Sequence, residues 1–118
     1  MVNPTQPAVK LTLDGEAFSL RFDFEAIANA EEITGRPLLT GLTKRDIGTP
    51  TISLVRNMFY ACLLPDQPSI TLDKAKALVT RKTITTVWAS VLEAWTLGMA
   101  EPEDEPEVVE ADPTQAQS

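Results

Sequence analysis

The stretch from Val9 to Phe22, VKLTLDGEAFSLRF, constrains the fold more than any other part of the chain. Val9, Leu11 and Leu13 alternate with Lys10, Thr12 and Asp14, and Phe18, Leu20 and Phe22 alternate with Ser19 and Arg21. A period of two marks a half-buried strand. Between the two runs sits Asp14-Gly15, the dipeptide suited to a two-residue type I′ turn, whose central positions both need positive φ. Such a turn sets Leu13 opposite Glu16, Leu11 opposite Phe18 and Val9 opposite Leu20, which collects the apolar residues on one face. An isolated hairpin is marginal in water, so that face needs helices to cover it.

The following sequence supplies them. Asp23 is placed to cap a helix to about Thr34, with Phe22 and Ile27 at the flanking staple positions. At ~100° per residue, Phe24, Ile27, Ala28 and Glu31 share a face, and Glu32 lies about 100° further round. Gly35 suits the left-handed residue after the helix, and Pro37 bars its continuation. PLLTGLTKRDIG, residues 37–48, reads as a short helical turn or loop that lays Leu38, Leu39 and Leu42 on the core. Thr49-Pro50 has the form of an N-cap followed by proline at the first helical position. It opens a helix to about Leu64 whose apolar residues go nearly all round, as in a central helix. Pro65 ends it and PDQPSI forms a loop. Ser69 or Thr71 then caps a shorter helix carrying Leu72, Ala75, Leu78 and Val79. The last helix, residues 83–99, aligns Ile84, Val87, Trp88, Val91, Leu92 and Trp95 on one stripe. Trp88 and Trp95 read as core on this pattern, with a partner interface as the alternative.

The chain is therefore read as α+β: a two-stranded antiparallel hairpin packed on four to five helices in a single domain, residues 9–100, after a flexible start at residues 1–8. Residues 101–118 break from this pattern, with seven acids, no base and three prolines. That composition buries little and repels itself, so disorder is expected, with docking to a basic partner as the sharper alternative. Seven of the 17 acids lie there, and the remaining ten balance the ten Lys and Arg. A body without net charge lacks the basic face that phosphate-backbone binding requires, which argues against a nucleic-acid partner.

Catalytic chemistry finds little to work with. The chain has no histidine and one cysteine, which removes a His general base, a Cys/His zinc site and an internal disulfide. Cys62 lies in the apolar run MFYACLL and reads as a buried thiol. The glycines are scattered, so no phosphate-cradling loop is formed. Adjacent carboxylates on one helix diverge, so Glu31 and Glu32 fail as an acid pair. Glu31 itself, turned toward an apolar face, needs a partner. Arg21, Arg56 and the free amides at a neighbouring helix start are the candidates, with an intersubunit contact as the alternative. No apolar run reaches the roughly 20 residues of a membrane span, and the start MVNPTQPAVK lacks a signal-peptide core. A cytoplasmic protein with no membrane, cofactor, metal or small-molecule partner is expected.

The strand, the DG turn, the second strand and the helix VKLTLDGEAFSLRFDFEAIANAEEITGRPL, followed by the central helix and PSITLDKAKALV, together resemble a known family. These are the small tail components of phages and gene transfer agents, labelled either tail assembly chaperones or tail tube proteins. The family helix pattern L-x-x-x-E-x-x-T-G falls here on Ile27, Glu31, Thr34 and Gly35, and the resemblance spans roughly residues 1–99. It implies a non-enzymatic protein of the bacterial host cytoplasm. Such a protein holds the tape measure protein and recruits tail tube subunits by reversible occlusion, and a homo-oligomer of this chain is a further expectation. A structural tail tube or tail-completion subunit is one alternative, and a small acidic regulatory binding protein is another. The acidic end departs from the simplest family members.

Overall fold

The computed structural model describes residues 8–100. The expectations of a flexible start, apart from Ala8, and of disorder over 101–118 lie outside the described residues. Asp14 and Gly15 have φ of 51° and 80°, the doubly positive pair that a type I′ turn needs. Around them β1 (Val9–Leu13) and β2 (Glu16–Leu20) pair antiparallel, with Leu13 opposite Glu16, Leu11 opposite Phe18 and Val9 opposite Leu20. Val9, Leu11, Leu13, Phe18 and Leu20 are all buried. Among the described residues five helices follow: α1 (Phe24–Thr34), α2 (Lys44–Gly48), α3 (Ile52–Leu63), α4 (Leu72–Leu78) and α5 (Ile84–Met99).

Helix α3 is the centre. It buries Leu54, Val55, Met58, Phe59, Ala61, Cys62 and Leu63 and packs on α1, α4, α5 and β2. Helix α5 lies across both strands and α3. Its buried stripe is Val87, Trp88, Val91, Ala94 and Trp95, and Trp95 meets Phe22 edge to face with ring centroids 5.1 Å apart. Fully buried residues such as Phe22, Phe59, Leu20 and Leu63 each contribute about 1.5–3 kcal/mol by leaving water.

The outer edge of β2 is closed at Ser19 by a side chain. Gln67 Oε1 accepts the Ser19 amide at 2.8 Å, and its Nε2 donates to the Ser19 carbonyl at 2.9 Å and to the Leu63 carbonyl at 2.6 Å. The primary amide thus takes the place of a neighbouring strand. Beyond it the Arg21 amide donates to the Cys62 carbonyl at 2.8 Å, and the Arg21 guanidinium pairs with Asp66 at 3.1 Å. The end of α3 and its following loop therefore seal this side of the hairpin.

Several local expectations are corrected. Helix α1 turns inward on Ala26, Ile27 and Ala30, not on Phe24 and Ala28; Phe24 is 74 % exposed. Alanines at the contact let α1 approach α3 closely, and this rolls the helix by roughly a third of a turn from the expected face. Leu39 is exposed, while Leu38 is fully buried and Leu42 packs partly on the core. Helix α3 is capped by Thr51, whose side chain accepts from Leu54, and not by Thr49-Pro50. Thr49 instead closes α2, its amide donating to the Arg45 carbonyl at 2.8 Å. Because α3 starts two residues later, its first residue, Ile52, stays outside the core. Trp88 and Trp95, by contrast, are each 7 % exposed and lie in the core as their stripe leads one to expect.

Gly98 near the end of α5 marks the closest approach of helix and hairpin. A Cβ placed there would sit 2.4 Å from the Phe22 carbonyl oxygen and 2.9 Å from Phe22 Cβ. The obstruction is backbone, which cannot swing aside. Gly to Ala in an open helix gains about 1 kcal/mol, but overpacking costs about 1–3 kcal/mol. Gly98→Ala is therefore expected to lower stability, measured as a reduced urea midpoint with unchanged m-value. A raised midpoint would contradict the close approach.

Candidate functional site

The segment between α1 and α3 is short of regular structure and is fixed in place by polar side chains. Helix α1 closes at Gly35, φ 70°, whose amide donates to the Glu31 carbonyl at 2.8 Å. The chain then folds back beside the last turn of its own helix. There Glu31 Oε2 accepts from the Leu38 amide at 2.7 Å and the Leu39 amide at 3.1 Å. Glu31 is thus a structural tie, but to a loop seven and eight residues on rather than toward the hairpin and central helix. Neither arginine is its partner. Arg21 is engaged by Asp66, and Arg56 Nε is buried with no hydrogen-bond partner among the described residues.

Two further ties hold the segment. Arg36 forks onto Asp46, with Nη2 2.6 Å from Oδ2 and Nη1 3.2 Å from Oδ1. Asp46 also completes a reciprocal cap on α2, accepting the Thr43 amide at 3.0 Å while its own amide donates to Thr43 Oγ1 at 3.0 Å. The Arg36 guanidinium, helped by the Thr43 amide, holds the Asp46 carboxyl down to about 2. At the far end of α2, Trp88 Nε1 donates to the Ile47 carbonyl at 3.0 Å. A buried indole N–H needs an acceptor, and this one ties α2 to α5.

This fixed backbone carries apolar side chains outward. Leu39 is 63 % exposed, Ile47 48 % and Ile52 57 %, three of the five large exposed hydrophobic residues among the described ones. Apolar side chains on a backbone already held by hydrogen bonds can meet an apolar partner segment with little ordering cost. That is the chemistry the site offers.

The remaining singled-out residues have structural places. Asp14 and Gly15 form the turn, and Asp23 caps α1 by accepting the Ala26 amide at 2.9 Å. Glu32 is exposed and, with Glu31, Gly35, Arg36 and Pro37, borders an open depression of about 470 Å³. Burial pushes the Cys62 thiol well above its usual range, the opposite of nucleophile activation. Among the described residues no group of three or more His, Cys, Asp or Glu is placed to hold a metal. The sequence reading missed Arg36, Asp46 and Gln67. Only Asp46 left a local signal, the T-x-x-D spacing from Thr43.

Glu31→Ala strips two backbone amides of their acceptor, one of them part-buried, and is expected to lower stability by about 1–3 kcal/mol. Glu31→Gln, which keeps an acceptor oxygen, is expected to lose less; equal loss in thermal unfolding would refute the hydrogen-bond role. Asp46, held below its unfolded value near 4, stabilises the fold above that pH and stops doing so as pH falls toward about 2. The stability gap between the unaltered chain and Asp46→Asn is therefore expected to shrink from pH 4 to pH 2 in urea titrations. A gap constant over that range would rule out the ion pair as its source. Comparison with known protein families, curated proteins and solved structures returns no match for this chain.

Proposed function

We propose that this chain is a phage tail assembly chaperone, a non-enzymatic protein that binds the tape measure and tail tube proteins in the bacterial host cytoplasm. The reading is carried by one observation, the strand, DG turn, strand and helix pattern of residues 9–38 with Glu31 at its most specific position. In the fold Glu31 holds the loop that presents Leu39, so the residue that best matches the family pattern also shapes the exposed apolar segment. A neutral body displaying Leu39, Ile47 and Ile52 suits reversible occlusion of an apolar or helical stretch of a partner. No helix among the described residues is long and apolar enough to cross a membrane.

A small acidic regulator is favoured over this reading only by residues 101–118 with their seven acids. A structural tail tube or tail-completion subunit would remain in the finished particle. Co-expression with neighbouring tape measure and tube proteins separates the three. The chaperone is expected to co-purify with its partners and to be absent from purified tails, and its presence in tails would overturn the proposal. Truncation after Ala100 is expected to leave binding intact, and loss of binding would favour the acidic regulator. The triple variant L39S/I47S/I52S alters exposed side chains, so stability is expected to change by no more than about 0.5 kcal/mol per site. Partner capture is expected to fall about tenfold or more.

A further inference from the structure

The two edges of the hairpin are treated differently. A two-residue turn makes its flanking residues a hydrogen-bonded pair, so Leu13 with Glu16, Leu11 with Phe18 and Val9 with Leu20 exchange their backbone bonds. The residues between them, Lys10, Thr12, Ala17 and Ser19, turn their N–H and C=O groups outward. Ser19 bears this out, since Gln67 takes both of its backbone groups. On the opposite edge, no hydrogen bond to the backbone of Lys10 or Thr12 occurs among the described residues. Among the described residues nothing covers this edge. Residues 9–13 contain no proline or glycine, and the Lys10 ammonium bends back over its own hairpin to Ser19 Oγ at 2.7 Å.

We infer that β1 pairs antiparallel with β1 of a second copy of this chain, about a two-fold axis through Leu11. The strand is complementary to itself in this register. Lys10 faces Thr12 of the second copy, and every outward N–H and C=O of these two residues finds its opposite. On the buried face Val9 meets Leu13 of the second copy and Leu11 meets its own counterpart, so the apolar layer runs on unbroken. The limits of the strand and its charges together select this register: sliding one pair toward the C-terminus sets Lys10 against Asp14, which lies in the turn at φ 51° and outside β1. Sliding the strands by one pair toward the N-terminus sets Lys10 against Lys10, which is repulsive, whereas the Leu11-centred register sets each Lys10 against a neutral threonine. The ten acids and ten bases of residues 1–100 leave no net repulsion between two bodies. The product is a four-stranded sheet whose outer edges are the β2 edges, each occupied at Ser19 by Gln67.

Sedimentation velocity of the full chain over a concentration series tests the pairing. Thr12 is exposed, so Thr12→Glu and Thr12→Lys leave the monomer folded and act in opposite directions. T12E places a carboxylate opposite Lys10 twice per dimer and is expected to tighten the dimer dissociation constant on the order of 2- to 30-fold. T12K is expected to weaken it by a similar factor. Mixing K10C and T12C chains under mild oxidation is expected to give the mixed disulfide dimer, with little K10C homodimer, because like positions lie too far apart to bridge. Cys62 is buried and does not compete. A chain that stays monomeric up to about 1 mM (a free energy near −4 kcal/mol) would overturn the inference. So would T12E and T12K shifts of the same sign, or a dominant K10C homodimer. A dimer that persists unchanged in Thr12→Pro, which deletes an outward N–H at an edge position that tolerates proline, would place the interface elsewhere.

Discussion

Two strands do not hold together in water, and the arrangement of this chain follows from that constraint. The apolar face made by Val9, Leu11, Leu13, Phe18 and Leu20 is a debt incurred at the start of the chain. Helices α3 and α5 discharge it, α3 from the β2 side and α5 across both strands. Everything else positions those two helices. Helix α1 leaves the second strand through the Asp23 cap and packs on α3 through alanines, and α4 closes another side of α3. The close approach of Gly98 to Phe22 and the edge-to-face contact of Trp95 with the same phenylalanine fix the end of α5 to the end of the hairpin.

A second theme is the use of side chains where backbone would ordinarily serve. Gln67 stands in for a strand, Glu31 supplies acceptors to two loop amides, and Asp46 caps one helix while accepting an arginine fork. Each satisfies polar groups that would otherwise be stranded between elements, where an unmade hydrogen bond costs about 1–3 kcal/mol. The outcome is a connecting segment with little regular structure that is nonetheless held at Leu38, Asp46 and Ile47. Rigidity in the connection allows leucine and isoleucine side chains to stay on the surface without collapsing onto the core.

Features legible in the sequence are those encoded within a few residues. The DG turn sets strand register, Asp23 caps by accepting from a residue three positions on, and Gly35 ends α1 in a left-handed conformation. The stripe on α5 is equally local, a 3,4 repeat that finds its core whatever the neighbours are. What escaped the reading depends on partners far along the chain. Gln67 and Ser19 are 48 residues apart, and Trp88 meets Ile47 across 41. The roll of α1 is set by how closely α3 can approach, so Phe24, apolar and suitably spaced, ends outside. Thr49 and Thr51 are both plausible caps by composition, and the choice falls to Thr51 because α2 has already engaged Thr49. For the candidate site, the importance of Glu31 was visible in its placement on the helix, but its direction was not, because the loop that it holds folds back from its own C-terminus.

The two tryptophans divide the molecule between them in a way that has a practical consequence. Trp88 donates its indole proton to α2, at the foot of the segment that carries Leu39 and Ile47, while Trp95 rests against Phe22 where helix and hairpin meet. Each indole therefore reports on one region only. In a spectrum that resolves the two ring N–H signals, loosening of the connecting segment moves the Trp88 resonance, and separation of helix from hairpin moves that of Trp95. The chain carries its own pair of local probes, with no label required, for telling partial opening at one end from unfolding of the whole.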